Sequence, residues 1–496
     1  MPRTRVSPPV TSHQSLVTPP PQSRVTIRFG TDGWRGVIAD DFTHDNVRSV
    51  AWAVARYVVR AEHPERGVIV GYDNRFASEK FARTAAETLT LAGIPVYLAE
   101  QSSPTPAVSL LVRLRGAAGG VMITASHNPP KWNGFKYKAS YGSSALPSIV
   151  AQIEDELAVV LRDGVPPLPP RPSLIHSVDL RAPYLEALDK LVDWSRLEDA
   201  QFRFLVDPMH GSGAGLLSAL FHRHGIACEE IRAKRDPLFG GANPEPIEPH
   251  IQPTRAALRA APEGTRFDAA FIMDGDADRI GAMDRDGTFV TPHQILSILL
   301  WHLAGTRHIS GDVAKTFSVT KLVDKLAAKF GRTLHETAVG FKYICELMLE
   351  RDVLLGGEES GGIGTKLHIP ERDAASCALL LAEVLAWHRK SLAEIIAGLH
   401  AEFGEHHYGR VDLDLLPGQK EKALEHFGNP ALTRYLEYPV AKREDLDGIK
   451  IYLGETGWLM VRGSGTEPML RLYAETSSAA NTRDILARTA ALVRSL

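Results

Sequence analysis

Residues 67–100 read GVIVGYDNRFASEKFARTAAETLTLAGIPVYLAE. The first seven, GVIVGYD, form an apolar, β-branched run short enough for a buried strand; a helical pattern starts at about Ala77, and PVYLAE reads as a second strand. Strand, helix and strand in that order predict a βαβ unit and hence a parallel sheet. Outward from it, strand-like VTIRF begins at Val25, a helical pattern runs from about His44 to Arg60, and the βα alternation resumes through FRFLVD and FDAAFIM and again through VAKTFSV, TLHETA and VLLGG. Gly164 to Pro170 is a proline-rich linker that predicts a first boundary. After about residue 405 the order changes to strands in succession flanked by helices, the pattern of a smaller α+β domain.

The 496 residues exceed what one core usually serves, so about three or four domains are expected, with clefts between them. A formal net charge of −3, with basic residues spread throughout, leaves no footprint for nucleic acid or an anionic membrane and favours a small-molecule partner. No apolar run approaches the roughly 20 residues needed to span a bilayer. Cys228, Cys345 and Cys377 are odd in number and not spaced as ligands, which fits free thiols in a reducing, cytoplasmic setting. Residues 1–24, rich in Pro, Ser and Thr and without acidic residues, read as a disordered tail.

Four loops carry chemistry. In GVMITASHNPPKWNGFKYK, Gly120 to Lys138, Asn-Pro-Pro can continue neither strand nor helix, so Ser126 sits on a turn at a strand end. His127 beside it and Lys136 on the returning segment are placed to handle its proton or counter its charge; a polar surface turn fits the same residues. FDAAFIM runs straight into Asp274-Gly275-Asp276-Ala277-Asp278-Arg279. Were the chain to stay extended, the three carboxylates would share a face, and hard oxygen ligands so close together suit Mg²⁺, with an acidic surface turn as the alternative. An EF-hand is excluded, because Arg279 and Arg285 stand where that loop needs Gly and Glu. At the end of VLLGG, Glu358-Glu359-Ser360-Gly361-Gly362 offers acceptors and a donor for vicinal sugar hydroxyls, or a salt-bridged turn. Arg462-Gly463-Ser464-Gly465-Thr466-Glu467-Pro468 fits an anion nest for a phosphate, or a plain hairpin. Arg35, in Gly30 to Gly36, presents a fork suited to phosphate, though on its own the segment reads more readily as a hairpin turn with a solvated arginine. Asp73-Asn74-Arg75 and Pro104-Thr105-Pro106 also follow strands, at the edge where open α/β sheets gather ligand groups, and either fits a plain turn equally well. His406-His407 reads as a solvated pair rather than a metal site.

With these motifs in order, TASHNP at 124–129, DGDADR at 274–279, GEESGG at 357–362 and RGSGTEP at 462–468, the chain resembles the α-D-phosphohexomutases, the superfamily of phosphoglucomutase, phosphomannomutase and phosphoglucosamine mutase, from about Val25 to the C-terminus. The segments 29–36 and 339–344 also look like family segments. The resemblance implies three related α/β domains plus the C-terminal α+β domain around a central cleft, divided as 25–165, 175–290, 291–400 and 405–496. It implies that Ser126 is a phosphoserine that gives and receives the phosphoryl group, with Arg35, His127 and Lys136 around it. Asp274, Asp276 and Asp278 would hold Mg²⁺ against the phosphoserine oxygens. Arg279, Lys342, Glu358 and Ser360 would meet the sugar phosphate, and Arg462, Ser464, Gly465 and Thr466 the phosphate that is not reacting. The implied reaction interconverts hexose 1-phosphate and hexose 6-phosphate through a hexose 1,6-bisphosphate. GEESGG, with Gly362 where several relatives carry histidine, looks more like a phosphoglucomutase, with mannose next and glucosamine or pentose phosphates after. A serine-nucleophile phosphatase and a silent sugar-phosphate sensor are the readings from other classes. Oligomeric state is not legible.

Overall fold

The computed structural model describes residues 27–30, 32–463 and 469–496; the tail of residues 1–24 and the nest residues Ser464, Gly465 and Thr466 lie outside them. Ile27 to Phe29 are irregular, so the described part of VTIRF is not a strand.

The first sheet is built from β1 (Trp34–Val37), β2 (Val68–Tyr72), β3 (Val96–Ala99), β4 (Gly119–Ile123) and β5 (Trp132–Ala139), with Ile175–Val178 on its far edge, in the order β1-β5-β4-β2-β3 and then Ile175–Val178. β4, β2, β3 and Ile175–Val178 are parallel, as the βαβ pattern requires, and their crossovers are the helices Ser78–Leu91, Thr105–Arg115 and, last, Pro147–Asp163. β5, however, returns antiparallel to β4. The parallel expectation misses this because the residues between β4 and β5 are too few for a crossover, and a short connection can only join antiparallel neighbours.

The same arrangement recurs twice. In the second sheet Ala269–Met273 lies parallel to Arg203–Asp207 and turns back into antiparallel Ile280–Asp284. In the third, Val353–Gly357 lies parallel to Asp312–Thr316 and turns back into antiparallel Ile363–Thr365. Each of these three turns is one of the loops singled out above: Ser126 between β4 and β5, Asp274 to Arg279 in the second, Glu358 to Gly362 in the third. The fourth sheet differs: six strands, all antiparallel, in the order 407–414, 469–476, 457–463, 449–453, 438–444, 434–435.

Packing divides the chain differently from the sheets. The helix Ala374–His388 is buried on every face from Ala374 to Ala386 and touches elements of both the second and third sheets, whose apolar side chains merge into one core with it. The first sheet's other face has its own core against His44–Ala61, and the fourth sheet a third, around Leu459, Leu472 and Ile485. Gly404, at φ +84°, and the two residues after it join the third sheet's last helix to the fourth sheet. The three cysteines are buried and unpaired. Among the described residues no helix is long and apolar enough to cross a membrane.

Candidate active site

Ser126 sits in the left-handed region, φ +52°, at the end of β4 and is 1% exposed. Its turn is held from beneath by Arg75, fully buried, which donates to the carbonyls of Ser126 (2.6 Å), Asn128 (2.8 Å), Pro129 (3.0 Å) and Trp132 (3.1 Å). Asp73 pairs with Arg75 at 3.2 Å and accepts from the Thr124 hydroxyl at 2.6 Å, whose oxygen takes the Ser126 N–H at 2.9 Å. A sharp turn of backbone carbonyls is thereby satisfied without water.

The hydroxyl of Ser126 points at the second sheet's loop, 2.7 Å from Asp274 Oδ2. Residues 274–278 do not run extended as the sequence reading supposed. They form a turn with Ala277 at φ +56°, because the strand must reverse into Ile280–Asp284, and the turn still brings carboxylate oxygens of Asp274, Asp276 and Asp278 within 4.8 Å of one another, all buried. Asp276 is further tied to the first domain by the Thr105 hydroxyl, and its carbonyl accepts the Thr105 N–H at 3.0 Å. Gly275 lets the two loops meet: a Cβ there would stand 2.5 Å from the Ser126 carbonyl oxygen.

The donor set fits a hard divalent cation. Asp276 Oδ1 and Asp278 Oδ1 are buried without a hydrogen-bond partner, and burial, with Asp276 and Asp278 beside it, pushes the Asp274 carboxyl well above the ordinary range, a like-charge strain that a cation among the three would relieve. Lys136 lies on the cluster's flank, bonded to Asp276 at 2.8 Å and Asp278 at 3.0 Å and paired with Asp32 at 2.9 Å. Burial alone would depress its pKa, but these three carboxylates outweigh burial and raise it, so in this arrangement Lys136 is a held cation serving the carboxylates. His127 is the group beside the hydroxyl, Nδ1 3.2 Å from Ser126 Oγ, and burial followed by Arg279, Arg35 and Arg75 keeps it neutral, well below the ordinary imidazole range.

Above the two loops a cavity of about 180 Å³ is lined from all four sheets' domains, including Arg35 and His127, Arg279, Lys342, Glu358, Glu359 and Ser360, and Arg410, Arg462 and Arg471. All the sequence-predicted sugar and phosphate residues that are described fall on it. Burial pushes the Glu358 carboxyl up to about 7, against the pull of Arg372 at 3.4 Å. Arg462 is braced by Asp447 at 3.0 Å, and Arg410 and Arg471 share Asp412.

Sequence reasoning missed Arg372, Asp32, Arg410 and Arg471. Arg372 joins three loops at once, meeting Asp32 and Asp278 (2.8 Å) through Nη2 and Glu358 through Nη1. It occupies the room beside Gly362, where a Cβ would lie 2.3 Å from its Cδ. No local pattern links it to its partner Asp32, 340 positions away; the charged pair Glu371-Arg372 in front of an apolar helix is the one local signal. His406 corrects the solvated-pair reading: it is bonded to Glu475 (3.1 Å) and Lys325 (3.0 Å) at the joint between the third and fourth sheets, while His407 faces Glu405.

Comparison with known proteins bears on the family and the fold. Profiles of the phosphoglucomutase/phosphomannomutase α/β/α domains I, II and III match residues 26–160, 182–287 and 291–403, and the C-terminal domain of the same family matches residues 430–492. The chain belongs to the phosphoglucomutase/phosphomannomutase family. This phosphohexomutase is 31% identical over 470 residues to a phosphoglucosamine mutase of Saccharopolyspora erythraea, covering 94% of this chain and 99% of that one. It is 27% identical over 460 residues, 92% and 96% of the two chains, to a phosphoglucomutase/phosphomannomutase of Thermococcus kodakarensis. Among solved structures, a Thermus thermophilus protein assigned as a phosphomannomutase superposes with a TM-score of 0.81 at 35% identity, over 94% of this chain and 99% of that chain. The relatives therefore share mutase chemistry and differ in the sugar they are named for.

Proposed function

We propose that this phosphohexomutase interconverts glucose 1-phosphate and glucose 6-phosphate, with mannose phosphates as the next substrates, through a phosphoserine at Ser126 and a hexose 1,6-bisphosphate. The observation that carries it is the position of the Ser126 hydroxyl, 2.7 Å from one carboxylate of a buried triad and beneath a cavity edged by seven basic side chains. In-line phosphoryl transfer asks mainly for positioning and charge neutralisation, and that is what these residues offer.

In this reading Asp274, Asp276 and Asp278 hold Mg²⁺, which when bound neutralises charge on the transferring phosphoryl oxygens. Arg75 fixes the direction of the Ser126 hydroxyl, and His127, neutral and 3.2 Å away, is the group on hand to take or return a proton at Oγ. Glu358 and Ser360 accept and donate at the sugar hydroxyls, while Arg462, with Ser464, Gly465 and Thr466, grips the far phosphate. Arg279, Arg35 and Lys342 line the path between the two ends. The bisphosphate reverses within this enclosure and returns its other phosphate to Ser126. The 31% identity to a phosphoglucosamine mutase favours a second reading, an amino-sugar phosphate, within the same chemistry.

Phosphorus NMR of the protein with Mg²⁺, glucose 1-phosphate and a trace of glucose 1,6-bisphosphate tests the reading. Glucose 6-phosphate is the expected product, and glucosamine and mannose phosphates then rank as competitors. Release of inorganic phosphate instead would replace the mutase reading by a hydrolase. Ser126→Ala should lower turnover at least about a thousandfold, roughly 4 kcal/mol of barrier; near-normal turnover would remove the phosphoserine.

A further inference from the structure

Each carboxylate of the triad commits one oxygen to the chain. Asp274 Oδ1 accepts from the backbone N–H groups of Asp278 (3.0 Å) and Arg279 (3.1 Å) in its own loop. Asp278 Oδ2 accepts from Lys136 (3.0 Å) and Arg372 (2.8 Å), and Asp276 Oδ2 from Lys136 (2.8 Å) and the Thr105 hydroxyl. The other oxygens of Asp276 and Asp278, both Oδ1, are buried and have no partner among the described residues. Lys136 divides its ammonium among Asp276, Asp278 and Asp32 at the end of a flexible stem. The Thr105 hydroxyl, among the described residues, serves Asp276 alone.

Thr105 is also held more firmly than a lysine head can be. It opens the helix that follows β3 and is fully buried. Pro104 and Pro106 flank it, each ring fixing a backbone φ, and Ala107, Val108, Leu110 and Leu111 of the same helix are packed into the core shared with the second and third sheets. The first N–H groups of a helix find no partner inside it. That of Thr105 finds one in the Asp276 carbonyl, at 3.0 Å. Backbone and side chain of one rigid residue thus grip backbone and side chain of another 171 positions away. With the Asp276 main chain fixed by the first contact, the second, at Oδ2, sets the rotation of the carboxylate and hence where Oδ1 points.

We propose that Thr105 is a positioning residue for the cation of the triad: its hydroxyl turns Asp276 so that Oδ1 faces the ion, and its helix ties that ligand of the second domain to the first, which carries Ser126. The inference rests on the reading of Asp274, Asp276 and Asp278 as the cation site. Without the hydroxyl, Lys136 is left as the only hold on Asp276 Oδ2, and its ammonium is shared with two other carboxylates. The Asp276 carboxylate then turns more freely and offers Oδ1 for part of the time. Losing an outer partner of this kind costs about 10- to 100-fold in metal affinity.

Mn²⁺, which takes the same oxygen ligands as Mg²⁺, is the probe. Its binding to the full chain is followed by the electron paramagnetic resonance of the free ion, with no substrate present, so the outcome is independent of which sugar is turned over. Thr105→Val keeps the shape and the backbone N–H and removes the hydroxyl; its Kd for Mn²⁺ is expected to rise about tenfold or more, and Thr105→Ser, which restores a hydroxyl, to stay within about threefold of wild type. In turnover, the Mg²⁺ needed for half-maximal rate should rise in Thr105→Val by the same factor while kcat at saturating Mg²⁺ changes little, a split that a merely structural loss would not give. Thr105→Ala removes the hydroxyl a second way, and wild-type Mn²⁺ affinity in either folded variant overturns the proposal, as does equal weakening in Thr105→Val and Thr105→Ser. Asp276→Asn separates the two readings. If it weakens Mn²⁺ binding and Thr105→Val does not, the triad holds the ion and the role of Thr105 falls; if it leaves Mn²⁺ binding unchanged, the cation site itself falls and the positioning role with it.

Discussion

Gly275→Ala is the most direct test of how closely the serine and carboxylate loops must approach. The added Cβ would stand 2.5 Å from the Ser126 carbonyl oxygen and 3.1 Å from Pro244 Cγ. Ordinary contact starts at 3.4 Å, so the loops must part by about 0.9 Å, and neither side yields easily. The Ser126 carbonyl is pinned by Arg75 at 2.6 Å, and Gly275 is held by its N–H on the Pro244 carbonyl (3.2 Å) and by the Ser212 N–H on its own carbonyl (3.0 Å). Overpacking of this kind costs roughly 1–3 kcal/mol of stability. Its larger effect falls on alignment, where a misplacement of about 1 Å costs on the order of a hundredfold in rate. Single-turnover transfer from phosphorylated enzyme to glucose 1-phosphate isolates that step, and a crystal structure of the variant reports the separation of Ser126 Oγ from Asp274. A rate within a factor of about three of wild type would show that the 2.7 Å approach of hydroxyl to carboxylate is not needed for transfer.

Asp276→Asn should raise the Mg²⁺ concentration needed for half-maximal turnover sharply, and an unchanged Mg²⁺ titration would argue against the triad as the ion's site. Arg75→Met leaves Asp73 buried without its partner and orphans four carbonyls; denaturant unfolding should show a loss of about 3–5 kcal/mol, and a loss below about 1 would mean the turn is held by other contacts. Glu475→Gln addresses the joint of the last domain. Burial would raise the Glu475 carboxyl, but the hydrogen bond and charge of His406 outweigh it and bring it down to about 2. A depressed carboxylate contributes stability above its unfolded pKa and loses it as pH falls through the folded one, so the variant should be less stable by on the order of 3 kcal/mol at pH 7, with the difference gone near pH 2. Equal stability of the two proteins at pH 7 would refute this.

The sequence made the strand-end loops legible because each is announced locally: an apolar run stops at residues that cannot continue it, and the reacting groups follow at once, as in Ile123 to Ser126 and Met273 to Asp278. The direction of the returning strands was less legible, since period-2 patterning is the same in parallel and antiparallel neighbours. The path of residues 274–278 was read as extended for the same reason, although the triad converges either way. Residues that act across domains left no local mark of their partners. Arg372 and Asp32 are complementary only once the first and third sheets face each other.

The helix Ala374–His388, buried between the second and third sheets, also bears on the order in which the protein can be made. A chain emerging from the ribosome has its first sheet's helices and strands in hand early, but the part of the second sheet's apolar surface that packs on this helix stays open until residues beyond 374 appear, more than 80 positions after that sheet's last strand, Phe289–Val290. During that interval the nascent chain carries an open apolar face, so synthesis speed between those two points and the protection of the emerging chain set how much of it reaches the assembled state.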